Sequence, residues 1–187
     1  MDVELRGRLE WVRGRLEWLR ERDALLPRAF DSEVVTGGNL HSYLTWPVRA
    51  EKLRGLEGVM GAALDPVFRA FLVRIGVGAG PYCGISWERM MRSARTACVR
   101  EFPSGEQGTG LPTAGFLVIS DVGYGDFIGV VAAGAARGRV AYLGYRRDEW
   151  SLGPTFLDYY QSWLNHAAAR LNAELRAYAP AGPVGCG

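Results

Sequence analysis

The spacing of apolar residues changes from a helical period to a period of two, and back, along this chain of 187 residues. Before Gly110 apolar residues recur mostly at intervals of three and four, which is typical of amphipathic helices. Beyond Gly110 they alternate over residues 116–120, 126–131 and 139–145, with glycine-rich turns between these segments. This part predicts an antiparallel meander. After Thr155, a plausible cap, the helical period returns and predicts a long helix across the sheet.

Two short packed helices are predicted ahead of the meander, after a short strand at residues 41–46. Pro47 can open the first helix, because proline is tolerated at the first helical position. Asp65 is expected to cap the second helix and Pro66 to open it, and Gly76 is expected to end it.

The glycine-rich segment at residues 76–80 has two interpretations. A phosphate-binding loop requires a preceding strand and a following helix N-terminus. This segment instead follows a predicted helix and runs into Pro81. A helix stop is therefore the favoured interpretation, and a further helix is predicted over residues 86–100.

The N-terminal segment repeats almost identically, as RGRLEWV at residues 6–12 and RGRLEWL at residues 13–19. Apolar residues at alternating steps of four and three define a helical seam: Leu5, Leu9, Val12, Leu16 and Leu19. Arginines flank this seam on both sides, so two copies of the helix would bring like charges together. The pattern disfavours a homodimeric coiled coil and favours docking on the chain's own domain. An irregular connection is predicted over residues 25–39.

Two tryptophans lie on the same N-terminal helix. Trp11 and Trp18 each precede an arginine, Arg15 or Arg22, by four residues, a spacing that allows guanidinium stacking on the indole. We call these stacked tryptophans and arginines the Trp/Arg ladder. It is either a solvated face of the helix or a contact with a partner. The second interpretation rests on the enrichment of tryptophan and arginine at interface hot spots.

Charge and cysteine content exclude several classes of protein. Lysine and arginine number 22 and acidic residues 20, so the net charge is +2 and no strong attraction to nucleic acid or anionic membranes is expected. The start of the chain lacks an apolar signal segment, and the longest nearly apolar stretch, residues 127–136, is too short to span a bilayer. We expect a soluble, cytoplasmic protein. Three widely spaced cysteines predict neither a disulfide framework nor a zinc site: Cys83, Cys98 and Cys186.

Material for catalysis is scarce. The two histidines, His41 and His166, have no partners at metal-ligand spacing, and Ser86 lacks the glycine pattern of a nucleophile elbow. Asp121 and Asp126 bracket a glycine turn, and turn chemistry explains them more simply than acid–base work. No catalytic residue, metal ligand or cofactor site is predicted.

Several local patterns occur in the order and spacing typical of one family. The first group is Leu56-Glu57, Gly61, Leu64, the run FRAFL at residues 68–72 and the glycine-rich break at 76–80. The second group is Leu111-Pro112, GYGD at residues 123–126, GRV at 138–140 and FLDYYQSWL at 156–164. Over about residues 41–165 the chain therefore resembles the SUKH superfamily. Its bacterial members are mostly immunity proteins of polymorphic toxin systems, and its fungal members include a cell-wall assembly regulator.

The resemblance implies an α+β domain at residues 41–178, with a mostly antiparallel central sheet flanked by helices. An added N-terminal amphipathic helix over residues 1–24 precedes it, and a flexible tail is expected at 179–187. The implied function is non-enzymatic: neutralisation of a cognate protein toxin in the same cytosol by occlusion. The alternative is a scaffold or regulatory domain without a toxin. Candidate partner contacts are Tyr124, Asp126, Arg146, Asp148 and Trp150 at turns and strand ends, with Trp11 and Trp18 outside the domain.

Overall fold

The computed structural model describes residues 2–25 and 41–178. The helices within these residues are α1 (Val3–Asp23), α2 (Ala50–Met60), α3 (Pro66–Arg74), α4 (Trp87–Ser93) and α5 (Phe156–Tyr178). The strands are β1 (Thr45–Trp46), β2 (Val77–Gly78), β3 (Gln107–Thr109), β4 (Phe116–Gly123), β5 (Asp126–Val131), β6 (Arg139–Gly144) and β7 (Glu149–Thr155). Most of the predicted irregular connection and all of the predicted tail lie outside the described residues.

Five strands form one antiparallel sheet in the order β3-β7-β6-β5-β4. The predicted meander of β4, β5 and β6 is confirmed, and the fold is α+β with an N-terminal helix. β1 and β2 form a separate antiparallel pair. β7 was not predicted, because glycine and proline at positions 153 and 154 disfavour a strand interior. The strand continues through these residues because the pairing of β7 with β6 shifts register there, and a bulge can hold a proline without a ladder hydrogen bond.

Two predicted helix boundaries are wrong. Pro47 does not open α2, which begins at Ala50, because the backbone N–H of Val48 donates to the carbonyl of Leu72 at 2.9 Å and ties this segment to α3. The helix predicted over residues 86–100 ends at Ser93. Beyond Ser93 the hydrogen bonds span three residues, which makes tight turns in place of an α-helix.

The main core forms where α5 crosses α3. Phe156 packs edge-on against Phe68 and Phe71, with ring centroids 4.6 and 4.8 Å apart, and Tyr160 packs on Phe71 at 4.7 Å. All four rings are essentially inaccessible to solvent. The Tyr160 hydroxyl donates to the carbonyl of Ala79 at 2.8 Å, so this buried polar group is satisfied.

The α1 helix is part of this core. Its seam residues Leu9, Val12, Leu16 and Leu19 are buried and belong to the same cluster as the α5 stripe. Arg8 donates to Gln161 and to Asp158 of α5, the latter at 2.5 Å. The prediction that the seam docks on the chain's own domain is confirmed, and one of the flanking arginines binds α5 directly.

Truncating the α1 seam should therefore destabilise the whole protein. We expect Leu19→Ala to lower the free energy of unfolding by about 2–5 kcal/mol, because Leu19 is fully buried and its loss leaves a cavity. Val3→Ala in the same helix is the control, since Val3 is 86% exposed. Denaturant unfolding measures both. Equal, small losses would show that α1 is an independent appendage.

Gly76 is required by backbone packing. Its φ is 107°, and a Cβ there would lie 1.9 Å from the carbonyl oxygen of Trp46. The glycine lets the chain turn out of α3 into β2, which pairs with β1. The segment 76–80 thus ends a helix, as the helix-stop interpretation predicts, and it also starts the strand β2, which was not predicted.

Gly76→Ala should lower the free energy of unfolding by about 2–4 kcal/mol, because it combines left-handed backbone strain with a steric clash. Gly58→Ala is the matched control. Gly58 lies in α2 with open space around its Cα, so alanine should raise stability by up to about 1 kcal/mol. Thermal unfolding of the two variants tests the account, and a Gly76→Ala protein as stable as the parent would refute it.

Candidate functional site

One end of the helix-covered sheet face remains open. Ile128 of β5 is buried in the main core, and Tyr142 of β6 lies opposite it in register, with Ser151 of β7 opposite Tyr142. Directly paired residues point to the same face of a sheet. Tyr142 therefore shares the face that α5 covers, yet it stays 36% exposed.

A cavity of about 490 Å³ occupies this open end. We call it the open cleft and define it by six of its lining residues: Tyr82, Gln107, Asp126, Tyr142, Glu149 and Ser151. These residues come from β3, β5, β6, β7 and the segment after β2. The sheet register places them together, although they span more than sixty positions of the sequence.

Tyrosines continue the cleft toward α5. A second cavity of about 350 Å³ shares Tyr82 and Tyr142 with the open cleft and adds Tyr159 and Trp163 of α5. The rings of Tyr142 and Tyr159 meet edge-on at 6.0 Å. Burial raises the pKa of both phenols, and the neighbouring tyrosines raise it further. The hydroxyls therefore stay neutral near pH 7 and can donate hydrogen bonds.

Gly153 makes room for this arrangement. A Cβ at Gly153 would lie 2.9 Å from the ring of Tyr142, so a larger residue would displace the ring from β7.

Within the described part of the chain, two buried polar atoms bordering these cavities have no hydrogen-bond partner. They are Oδ1 of Asp126 and Nε1 of Trp163. Leaving such a group unsatisfied costs about 1–3 kcal/mol, more when it is charged. Asp121 makes a turn contact as predicted, because it accepts from the N–H of Gly123 at 2.8 Å, whereas Oδ1 of Asp126 makes no such contact within the described residues.

The two aspartates do not form an acid–base pair. Asp121 is bound by the guanidinium of Arg89 in α4, and its other oxygen caps the turn. Asp126 lines the open cleft instead. The carboxylates thus have separate neighbours.

The turn beside the cleft presents an aromatic–arginine stack. Tyr124, at the tip of the β4–β5 turn, is 82% exposed, and the guanidinium carbon of Arg146 lies 4.4 Å from its ring centroid. Tyr145 is also exposed and packs beside Gly125 of the same turn. We call Tyr124, Tyr145 and Arg146 the turn platform. The structure brings together Tyr124 and Arg146, two of the predicted contacts.

Asp148 and Trp150 have structural roles that the sequence interpretation did not assign. Oδ1 of Asp148 accepts from the N–H of Leu111 at 3.0 Å, which fastens the β6–β7 turn to the loop after β3. Trp150 is only 5% exposed and packs edge-on against Phe102 at 5.1 Å. The prediction of an exposed contact at Trp150 is wrong, because its strand position points into a small core on the opposite sheet face.

Trp11 and Trp18 form the predicted ladder on α1. Arg15 lies 6.0 Å from the ring of Trp11 and 5.0 Å from that of Trp18, and Arg22 lies 5.3 Å from Trp18. Trp18 is half-buried against the main core, so part of the ladder stabilises α1. Neither tryptophan lines the two cavities.

His41 is held as a neutral structural residue. Its Nδ1 accepts from the N–H of Tyr43 at 3.1 Å, so Nε2 carries the proton and donates to the carbonyl of Gly80 at 2.7 Å. Burial lowers the pKa of His41, and the Gly80 carbonyl opposes this only in part. His166 is exposed on α5.

Acidification should destabilise the fold through His41. In the unfolded state His41 becomes protonated near the ordinary histidine pKa of 6.5. In the folded state its pKa is lower, so His41 stays neutral to a lower pH. The contribution of His41 is therefore present above pH 6.5 and is lost as pH falls toward the folded-state pKa. We expect His41→Gln to be less stable than the parent at neutral pH and to have a shallower stability profile between about pH 7 and 5. His166→Gln should keep the parent profile, and a parent-like profile for His41→Gln would contradict the assignment.

No group of three or more His, Cys, Asp or Glu side chains suited to a metal ion occurs in residues 2–25 and 41–178. The helices in that part of the chain include none that is both long and apolar enough to cross a membrane. Comparison with protein-family models, curated proteins and solved structures gives no match. Fold and site thus define an α+β protein with an open aromatic cleft, suited to binding through hydrogen bonds and ring contacts.

Proposed function

We propose that the chain is a non-enzymatic immunity protein that binds a cognate protein toxin in the cytosol and neutralises it by occlusion. The observation that carries this proposal is the turn platform. Exposed tyrosine and arginine side chains, already stacked on each other, are the residue types that dominate binding energy at protein interfaces.

Preorganisation supports the same conclusion. Tyr124 sits at a φ of 57° between two glycines with positive φ, so the turn has a defined conformation. Arg146 already rests on its ring, which reduces the side-chain entropy that binding must overcome. The open cleft lies next to this turn, because Asp126 both follows the turn and lines the cleft. Platform and cleft therefore lie at the same end of the sheet.

The hydrogen bonds that the polar side chains already make favour binding over catalysis. His41 is committed to backbone hydrogen bonds, and Asp121 to Arg89 and its own turn. The open cleft is lined by tyrosine hydroxyls and by carboxylates from separate strands. Such groups suit recognition of a protein surface.

Substitutions in the platform should weaken binding to a toxin encoded by a neighbouring gene. We expect Tyr124→Ala and Arg146→Ala each to raise the dissociation constant by about tenfold or more, with little change in thermal stability, because both side chains are exposed. Trp46→Ala and Arg54→Ala are the matched controls, since they remove an exposed aromatic and an exposed arginine elsewhere. Calorimetric titration measures the constants, and co-expression measures protection of cells.

Unchanged affinity in both platform variants would refute the platform as the binding surface. A chain that protects against no neighbouring toxin, and instead captures a cellular assembly, would replace the immunity function with the scaffold or regulatory alternative. Loss of affinity on Trp11→Ala alone would move the contact to α1.

A further inference from the structure

We propose that the open cleft receives an arginine side chain of the protein partner, with its guanidinium group against the carboxylate of Asp126 and between the tyrosine rings. This inference rests on the proposed protein-binding function and names the chemistry that the partner must present.

The charged side chains that the described residues bring to the open cleft are both acidic. Asp126 and Glu149 line it, and no lysine or arginine is found among the described residues that line it or the adjoining cavity. This is notable in a chain with 22 basic and 20 acidic residues overall. Glu149 has a nearby cation in Arg147, but that pair is exposed, with 3.3 Å between its atoms. A cationic occupant is therefore favoured and an anionic one repelled.

The carboxylate of Asp126 is incomplete as it stands. Its Oδ1 accepts no hydrogen bond from the described residues although they cover it, so the side chain must turn for this oxygen to meet a ligand in the cleft. A carboxylate oxygen in such a place requires a donor, and a charged donor gives a shorter and stronger bond than a neutral one. A guanidinium group offers five N–H donors in one plane, enough to reach Asp126 and the neighbouring carboxylate or hydroxyls together.

The walls match the rest of an arginine side chain. Tyr82 and Tyr142 of the open cleft and Tyr159 of the adjoining cavity supply ring surfaces on which a planar cation stacks, and the apolar stem can lie along the same rings. The protein already uses this contact elsewhere. Arg146 lies over Tyr124 at 4.4 Å in the turn platform. Lysine would gain the charge contact but not the planar stacking and forked hydrogen bonds, so arginine is preferred.

The first test compares three blocked peptides on the full-length parent protein: acetyl-Gly-Arg-Gly-amide and the same peptide with citrulline or lysine at the centre. Citrulline keeps the shape of arginine without its charge. Chemical shifts of the indole N–H and backbone amides report binding. We expect the arginine peptide to bind at least about tenfold more tightly than the citrulline peptide, with shifts at Tyr142 and Asp126. Equal binding of the two peptides, or no binding of the arginine peptide, would overturn the proposal.

The second test compares two variants that each remove one negative charge. Asp126→Asn should weaken the arginine peptide by about tenfold or more, because the amide keeps the shape but loses the charge. Glu51→Gln is the matched control, since Glu51 is exposed on α2, and it should bind as the parent does. Equal losses in both variants would show diffuse attraction and overturn the cleft assignment. The peptide comparison on the parent remains decisive if Asp126→Asn folds poorly.

These results separate the cleft from the proposed function. A parent protein that neutralises a toxin but ignores the arginine peptide refutes the arginine cleft alone. A protein that binds the peptide through Asp126 but neutralises no neighbouring toxin refutes the immunity function alone.

Discussion

The crossing of α5 over α3 is the contact on which the rest of the structure depends. Phe156 and Tyr160 pack against Phe68 and Phe71, and the buried Tyr160 hydroxyl reaches across to the carbonyl of Ala79. Full burial raises the pKa of this phenol well above its ordinary value, so it stays a donor. Aromatic rings of this size bury large areas and prefer such edge-on contacts. The crossing fixes where α5 lies on the sheet, and α1 then docks onto α5 through its leucine seam and Arg8.

The same crossing determines where the protein can bind. α5 begins directly after β7, and its first turns share the main core with Val130 of β5 and Val140 of β6. Asp126, Tyr142 and Glu149, farther along these strands and β7, line the open cleft instead. These positions carry polar groups and a tyrosine in place of aliphatic residues, as expected for a surface that must tolerate water and still bind. The turn platform lies at the rim of this region. Packing of the core and exposure of the site thus have one geometric cause.

Sequence reasoning identified the elements with strong periodicity. The α1 seam, the Asp65 cap, the meander of β4, β5 and β6 and the α5 stripe all follow from local spacing, and each is present. It missed β7 because a register shift accommodates Pro154, which depends on the partner strand and has no local signal. Trp150 was predicted to be exposed because it lies near a turn, but a residue near a turn can face either side of a sheet. Sequence reasoning could not assemble the cleft, since Tyr82, Tyr142 and Tyr159 meet only through the sheet register and the crossing of α5.

The central claim is that the open end of the sheet, with the turn platform and the cleft, is the binding surface. Amide hydrogen exchange of the protein, alone and in complex with the toxin that it neutralises, tests this most directly, because exchange slows where a partner covers or rigidifies the backbone. The account predicts added protection in residues 107–109, 123–127 and 142–151, with α2 unchanged. Protection confined to α1, or spread evenly over the chain, would contradict it.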